Sequence, residues 1–158
     1  MGQEIERKFK IDEKVAQAYL KRAEDGEFLI KVIEQTYLTT DPVVRVRRSN
    51  DKYILTYKGS GLMSREEYNL PLNEESYNIL KSKAEGNVIY KKRVNIPYDK
   101  YLIELDIFGE PFYPLVIAEV EFESEQEANE FVPPKWFLED VTNDSQYHNS
   151  NLSRKKFN

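Results

Sequence analysis

Charged residues recur in this sequence as pairs separated by a single residue. In a β-strand, residues i and i+2 point to the same face, so each pair would present two charges side by side. They are the acidic pairs Glu4/Glu6, Glu104/Asp106 and Glu119/Glu121 and the basic pairs Arg45/Arg47 and Lys91/Arg93. Carboxylates are hard oxygen ligands suited to Mg²⁺ or Mn²⁺, whereas guanidinium and ammonium groups bind phosphate oxygens. The two sets side by side would bind a metal-complexed polyphosphate.

Mixed pairs follow the same spacing, since Lys8 shares a face with Glu4 and Glu6, and Arg65 shares one with Glu67. Alternation alone is typical of any half-buried strand with one face in water. Like charges on one face of a strand, about 7 Å apart, repel by roughly 2 kcal/mol at an effective dielectric near 20. Charges of opposite sign on neighbouring strands, or bound ions, must offset this repulsion. If the apolar faces point outward beneath helices, the charges line the interior of a barrel.

The elements that must position these residues are mostly strands, separated by turn-forming residues. The pattern predicts strands over residues 3–11, 28–38, 43–48, 52–58, 64–70, 88–96, 101–107 and 116–122. It predicts helices over 15–23, after the N-cap Asp12, over 73–83 and over 124–131, and an irregular tail from 133 that turns helical at Asn149. About eight strands and two or three helices predict an antiparallel α+β fold, closed or nearly closed.

The composition favours one domain rich in β structure and excludes several kinds of site and partner. The 158 residues suit one domain spanning 1–158, and 11 Tyr and 8 Phe favour β structure. The absence of cysteine excludes disulfides, thiolate metal sites and a cysteine nucleophile. The net charge of −5 argues against a general nucleic-acid binder. No apolar run reaches the roughly 18 residues of a membrane span, and the first residues do not read as a signal peptide, so we expect a cytoplasmic protein.

An ordered series of motifs resembles a known family. The opening E-I-E-R-K at residues 4–8 matches the E-x-E-x-K signature of the CYTH domain, also called the triphosphate tunnel metalloenzymes. The further matches are Q-T-Y-L at 35–38, R-V-R at 45–47, T-Y-K-G at 56–59, R-E-E-Y at 65–68, K-K-R at 91–93, E-L-D at 104–106, E-V-E at 119–121 and V-T-N-D at 141–144. The length and the tail Y-H-N-S-N-L at 147–152 are similar to compact bacterial members that consist of a single CYTH domain.

The resemblance implies an eight-stranded antiparallel closed β-barrel with a few outer helices and a triphosphate held inside it. The implied metal ligands are Glu4, Glu6, Glu119 and Glu121, with Asp106 as a further candidate. The implied substrate-binding residues are Lys8, Arg45, Arg47, Lys58, Arg65, Lys91 and Arg93. Many members carry a second carboxylate near position 65, where this chain has only Arg65 and Glu67, so the number of metal ions, one or two, stays open.

Most members of this family cleave a phosphoanhydride bond with the help of a divalent metal ion and an attacking water. We assign the metal to Glu4, Glu6 and Glu121, with Glu119 assisting. Charge on the transferred phosphoryl group would be stabilised by three arginines, Arg45, Arg47 and Arg93. Lys8 would orient the water or the leaving phosphate, or it would simply pair with Glu4 or Glu6. The catalytic set is thus Lys8, Glu4, Glu6, Arg45, Arg47 and Arg93.

Several activities share these residues. A metal-dependent hydrolase of inorganic tripolyphosphate, with Mg²⁺ or Mn²⁺, is the favoured reading. A class IV adenylate cyclase, a thiamine or RNA triphosphatase and a non-catalytic polyphosphate- or nucleotide-binding module are the alternatives. The expected partner is a small triphosphate (tripolyphosphate, ATP or thiamine triphosphate), with no nucleic acid and no membrane, bound by a monomer or homodimer. The tail would plug one mouth of the tunnel, and the single histidine, His148, is expected to be structural or solvated.

Overall fold

Nine antiparallel strands and four helices make up the part of the chain that the computed structural model describes, residues 2–157. The strands are β1 (Gln3–Ile11), β2 (Leu29–Thr40), β3 (Val43–Ser49), β4 (Lys52–Lys58), β5 (Ser64–Leu72), β6 (Glu85–Tyr98), β7 (Tyr101–Phe108), β8 (Val116–Glu121) and β9 (Phe137–Asp140). The helices are α1 (Glu13–Glu24), α2 (Glu74–Lys81), α3 (Glu125–Glu130) and α4 (Asn149–Leu152), the last preceded by a 3-10 turn (Ser145–Tyr147).

The first strand closes the sheet into a barrel. The strand order is β5-β4-β3-β2-β6-β7-β8-β1, and β5 also pairs with β1. The beginning of β1 pairs with β5, as in Glu4 opposite Arg65, and its later part pairs with β8, as in Lys8 opposite Glu119. The ninth strand, β9, lies alongside β1 outside this closed set. The predicted eight-stranded antiparallel closed barrel is therefore confirmed.

The apolar faces of the strands point outward, beneath the helices. Ile5 and Phe9 of β1 and Leu105 of β7 belong to one buried cluster with Ala16 and Leu20 of α1. This cluster also takes in residues of β6, β8, α3 and β9, so it covers the outer surface of one side of the barrel. Because side chains alternate across a strand, burying this set directs the charged set inward.

The helices begin close to where the sequence predicts them. The Asp12 carboxylate accepts hydrogen bonds from the Lys14 and Val15 amides, so α1 starts two residues before the predicted 15–23. Asn73, predicted as the first residue of its helix, is instead the N-cap of α2 and accepts from the Ser76 amide. Ser124 caps α3 in the same way. The predicted boundaries are thus displaced by a few residues, whereas the predicted elements themselves are present.

The C-terminal segment closes one end of the barrel. Inward-facing residues at that end are apolar, and they pack with Val141 and Leu152 of the tail in a second buried cluster. Its barrel members are Tyr37, Val43, Ile89, Phe108 and Ile117, joined by Phe112 from the β7–β8 connection. The tail predicted as irregular from 133 contains β9, which sequence periodicity misses because only Phe137 of its four residues is buried. The helix predicted from Asn149 is present as α4.

Among residues 2–157, no helix is both long enough and apolar enough to cross a lipid bilayer.

Candidate active site

A cavity of about 310 Å³ lies inside the barrel and is lined almost entirely by polar and charged side chains. Its carboxylates are Glu4, Glu6, Glu67, Glu104, Glu119 and Glu121, and its cations are Lys8, Lys31, Arg45, Arg47, Lys58, Arg65 and Arg93. This volume falls at the small end of the range for ligand sites. The structure therefore brings together all the predicted site residues except Lys91 and Asp106, which are buried on the same inward strand faces but do not line the cavity.

Three charged lining residues, Glu67, Glu104 and Lys31, were absent from the predicted set. Glu67 and Glu104 share their strand faces with Arg65 and Asp106, so the same i, i+2 rule that found the other residues could have included them. Lys31 lies on β2, on the same strand face as Gln35 four residues later. The residue at i+2 is the apolar Ile33, so the pattern of charged pairs does not include Lys31. Asn149 and Ser150 enter the cavity from the tail, and nothing in their local sequence signals that placement.

Lys8 occupies the centre of the acidic strands. Its Nζ donates to Glu119 Oε2 at 2.7 Å and lies 3.1 Å from Glu6 Oε1. Burial by itself would lower the pKa of Lys8, but Glu119 and Glu6 outweigh it and raise the pKa above its ordinary value. Lys8 is therefore a fixed cation and not a proton acceptor. The alternative prediction for this residue, an ion pair with a neighbouring glutamate, is present in the structure.

The carboxylates near the open mouth are less completely compensated. Glu4 Oε1 accepts from Lys58 Nζ at 2.8 Å, with Arg65 Nε at 3.8 Å. Glu121 lies opposite Glu6 on the neighbouring strand and is solvent-exposed. Partial burial, followed by the charges of Glu4 and Glu6, raises the pKa of Glu121 above its ordinary value. Excess negative charge therefore accumulates at this mouth.

Asp106 is the counter-ion of two cations. Its Oδ2 accepts from Lys91 Nζ at 2.7 Å and from Arg93 Nη2 at 2.8 Å, and its Oδ1 accepts from Arg93 Nε at 2.7 Å. Burial opposes ionisation of Asp106, but Arg93 and Lys91 hold its pKa below the ordinary value. Neither oxygen is free of a cation, so this arrangement makes Asp106 a support for the basic side. Glu104, on the same face of β7, is the carboxylate that reaches the cavity.

The basic side has surplus positive charge on β3. Within residues 2–157, neither Arg45 nor Arg47 forms a salt bridge, and the buried Nε of Arg45 has no hydrogen-bond partner. Arg47 Nε donates to Gln35 Oε1 at 2.7 Å. Burial, together with the nearby charges of Arg45 and Arg93, lowers the pKa of Arg47 to about 9. Positive charge without counter-charge in a buried position favours an anionic ligand.

The acidic residues suit a divalent cation that is shared with a substrate. In the described part of the chain, no three Asp, Glu or His side chains already converge as a closed metal site. Mg²⁺ seldom uses a closed protein site, because it usually keeps several waters and binds one or two carboxylates plus substrate phosphates. Glu4, Glu6 and Glu121 offer oxygen donors of this kind, and a cation would relieve the part of their negative charge that Lys8 and Lys58 leave uncompensated.

His148 lies behind the cavity wall. The residue is only 4 % exposed, and its Nε2 has no hydrogen-bond partner among the described residues. Burial, together with the charges of Lys8 and Arg65, lowers the pKa of His148 to about 4. The imidazole is therefore neutral at pH 7, as expected for the structural role that the sequence favours.

A larger cleft of about 720 Å³ is lined by residues of α1, β2 and β6. Its walls include Leu20, Val32 and Tyr90, with Glu34 as the only carboxylate. It lacks the acidic and basic sets that face each other inside the barrel. The chemistry of the chain is therefore concentrated in the smaller interior cavity.

Comparisons with known proteins agree with this geometry. The model of the CYTH domain family matches residues 2–155. An inorganic triphosphatase of Nitrosomonas europaea is 37% identical over 155 residues, which cover 95% of this chain and 96% of that protein. An inorganic triphosphatase of Acetivibrio thermocellus is 36% identical over 160 residues, covering 99% and 97%. A crystal structure of an inorganic triphosphatase has a TM-score of 0.67 and 33% identity, covering 99% of this chain and 97% of that one.

Proposed function

Because this chain belongs to the CYTH domain family, we propose that it hydrolyses inorganic tripolyphosphate to pyrophosphate and orthophosphate with the help of Mg²⁺ or Mn²⁺. Full-length similarity to two inorganic triphosphatases supports this substrate. The single observation that carries the proposal is the separation of charge inside one cavity. On one side, Arg45 and Arg47 lack carboxylate partners within the described part of the chain, and on the other Glu4, Glu6 and Glu121 are crowded together.

A metal-complexed triphosphate would relieve both imbalances at once. Its oxygens would accept hydrogen bonds from the guanidinium groups of β3, and its metal ion would lie against the carboxylates of β1 and β8. Glu4, Glu6 and Glu121 would hold that ion, with Glu119 nearby but already paired with Lys8 and Arg93. When bound, the cation supplies positive charge against the phosphate oxygens and promotes loss of a proton from water.

The arginines would act on the phosphoryl group that is transferred. Arg45 and Arg47 have unused donors, so their N–H groups can bind the terminal phosphate without first breaking an ion pair. Arg93 is fixed by Asp106 and reaches toward Glu119 with its Nη2 at 3.2 Å. These groups are already oriented before substrate arrives, so little reorganisation is required when charge shifts in the transition state.

Lys8 would contact the bond that breaks. It is buried between Glu119 and Glu6 and stays charged, so it can donate a hydrogen bond to a bridging or leaving oxygen but cannot remove a proton from water. Lys58 and Arg65 flank Glu4 and would bind the remaining phosphate. Lys91, held by Asp106 behind the wall, adds positive charge at longer range.

The shape of the cavity favours a short linear substrate. Its volume is about 310 Å³, and the apolar cluster around Leu152 and Ile89 closes the end opposite the charged mouth. A nucleoside would have to remain outside that mouth while its phosphates entered. Inorganic tripolyphosphate is therefore favoured over ATP and thiamine triphosphate.

The decisive experiment offers purified protein three substrates: tripolyphosphate, ATP and thiamine triphosphate. Each is tested with Mg²⁺, with Mn²⁺ and with EDTA, and orthophosphate, pyrophosphate and cyclic AMP are measured. We expect metal-dependent release of orthophosphate and pyrophosphate, fastest from tripolyphosphate. The Glu4→Gln/Glu6→Gln double variant is the control that assigns any activity to this cavity. Cyclic AMP and pyrophosphate from ATP would replace the proposal with a cyclase, and tight binding without turnover would replace it with a binding module.

A further inference from the structure

The C-terminal segment is fixed to the barrel at both of its ends. Near its start, the Val141 amide donates to the Lys8 carbonyl at 2.9 Å, and Thr142 Oγ1 accepts from the Lys8 amide at 3.0 Å. Near its end, the Asn87 amide donates to the Ser153 carbonyl at 2.6 Å. Leu152 is buried in the apolar cluster between these two attachments. Residues of α4 are therefore held at defined positions against the interior of the barrel.

Asn149 is the residue of this segment that bonds to the cations of the site. Its Oδ1 accepts from Lys91 Nζ at 3.2 Å and from Gln35 Nε2 at 3.1 Å. Gln35 is fully buried, and its Oε1 accepts from Arg47 Nε at 2.7 Å. Two side-chain amides thus form a relay from the tail to Arg47, with a branch to Lys91.

The orientation of Gln35 is set by this relay. A side-chain amide has one donor end and one acceptor end, so fixing one end determines where the other points. Asn149 Oδ1 and the hydroxyl of Tyr37 (3.1 Å) both accept from Gln35 Nε2, which leaves Gln35 Oε1 directed at Arg47. If the donors of Gln35 lost these acceptors, the amide could turn and its oxygen would leave Arg47.

Arg47 depends on that oxygen. It lies among the like charges of Arg45 and Arg93, and in the described residues its Nε–Gln35 bond is the hydrogen bond that restrains it. Repulsion would otherwise move its guanidinium away from the position that favours a phosphate. We propose that Asn149 is a positioning residue that acts through Gln35 on Arg47 and directly on Lys91, so that docking of the tail completes the phosphate-binding side of the cavity.

A neutral amide suits this role better than a carboxylate. Asn149 supplies an acceptor oxygen to two donors without cancelling the positive charge that an anion requires. An Asp at this position would keep both hydrogen bonds but would place a counter-charge beside Lys91. The two properties, hydrogen-bond acceptance and neutrality, can therefore be separated by substitution.

The inference rests on the proposed function, because its readout is binding of tripolyphosphate. The experiment compares wild type with Asn149→Ala, Gln35→Ala and the double variant. Asn151→Ala is the matched control, since Asn151 is exposed in the same segment and, within residues 2–157, its side chain bonds only to the Ser145 carbonyl. The affinity for tripolyphosphate is measured by calorimetry in EDTA, where no turnover occurs. KM and kcat are then measured with Mn²⁺, and the melting temperature of each variant is measured by thermal unfolding.

We expect Asn149→Ala to raise Kd and KM by at least about ten-fold, the effect of losing a hydrogen bond that supports a charged group, while kcat falls by less than about three-fold. Gln35→Ala should give the same loss, and the double variant should be little worse than either, because both act on one relay. The melting temperature of Asn149→Ala should match that of Asn151→Ala. Asn149→Asp should also bind more weakly than wild type, through its added charge.

The outcomes separate the two proposals. If wild type neither binds nor hydrolyses tripolyphosphate, the proposed function fails. If wild type does both, and Asn149→Ala binds like Asn151→Ala, the positioning role is overturned. Should Asn149→Ala fail to fold, Gln35→Ala interrupts the same relay from β2, and unchanged binding by that variant would overturn the role as well. Additive losses in the double variant would contradict a shared relay.

Discussion

Lys8 Nζ lies 2.7 Å from Glu119 Oε2, across the pairing of β1 with β8, and both side chains are almost completely buried. The contact joins a residue of the first strand to one 111 positions later. It holds Lys8 as a cation between carboxylates at the centre of the cavity. The variants below test what this cation and its neighbours contribute.

Replacing Lys8 should remove both activity and stability. Lys8→Ala leaves the buried Glu6 without its cation and Glu119 with Arg93 alone, and breaking a buried ion pair from one side costs roughly 3–5 kcal/mol. Loss of the donor to the scissile bond should lower kcat by about 100-fold or more. Tripolyphosphate hydrolysis and urea unfolding measure the two effects. Lys14→Ala, an exposed lysine on α1, is the control and should change neither. Full metal-dependent activity in Lys8→Ala would exclude a catalytic role.

Replacing Arg47 should lower activity but raise stability. Burial and the charges of Arg45 and Arg93 disfavour its charged form, so Arg47→Met relieves repulsion in the empty cavity. We expect the variant to be more stable than wild type by about 1 kcal/mol in urea unfolding, while kcat/KM for tripolyphosphate falls by about 100-fold. The adjacent Arg48 is exposed, and Arg48→Met is the matched control for loss of charge on β3. A destabilised Arg47→Met would show that the charge is compensated in the folded state.

Glu121→Gln should weaken the response to metal. The substitution removes one carboxylate from the crowded mouth, so we expect hydrolysis to require about ten-fold more Mn²⁺ or Mg²⁺. Metal titration of the melting temperature gives an independent readout, because a ligand that binds the folded state raises it with concentration. Glu123→Gln, an exposed acid just beyond β8, is the control. An unchanged metal titration in Glu121→Gln would remove this residue from the proposed ligands.

Stability should fall in acid partly through His148. Its pKa is about 4 in the folded protein and ordinarily 6.5, so the unfolded chain takes up the proton more readily between those values. The contribution of the neutral imidazole to the free energy of unfolding is therefore fully present above pH 6.5. It is lost as the pH falls toward 4, and the total loss is at most roughly 3 kcal/mol. Urea unfolding of wild type and His148→Phe at pH 7.5 and pH 5 measures it.

Carboxylates also titrate in this range, so the informative quantity is the difference between the two proteins. The loss of stability from pH 7.5 to pH 5 should be smaller in His148→Phe by about 2 kcal/mol. Equal losses in wild type and variant would mean that His148 is accessible to protons in the folded state.

Strand parity was sufficient to predict most of the charged residues that line the interior cavity. Because each charged pair alternates with apolar residues, the sequence determines which side chains share a face, and burial of the apolar face beneath α1 and α3 decides which face is inside. The ordered motifs likewise predicted the family, which the match over residues 2–155 confirms. These features are local, so they can be read without knowing which strands pair.

Depth along the tunnel could not be predicted in the same way. Glu104 and Asp106 share a face of β7, and both contact Arg93. Only the register that sets Arg93 opposite Asp106 decides which carboxylate is enclosed by two cations and which reaches the cavity. The contacts of β9 and Asn149 are equally non-local. Phe137 and Asn149 contact the barrel through β1, β2 and β6. The residues next to them in the sequence show no pattern that predicts these contacts.

The closure of the barrel by β1 has a consequence during synthesis. Glu6 and Lys8 leave the ribosome before the other strands of the barrel, and their partners on β8 follow about 110 residues later. At roughly 5–20 residues per second, that interval lasts on the order of ten seconds. During it the charges in the later part of β1 remain hydrated, and the apolar Phe9 lacks the strands β8 and β9 that it pairs with in the folded protein. Newly synthesised β1 should therefore be the strand of the barrel that most needs protection by ribosome-associated chaperones.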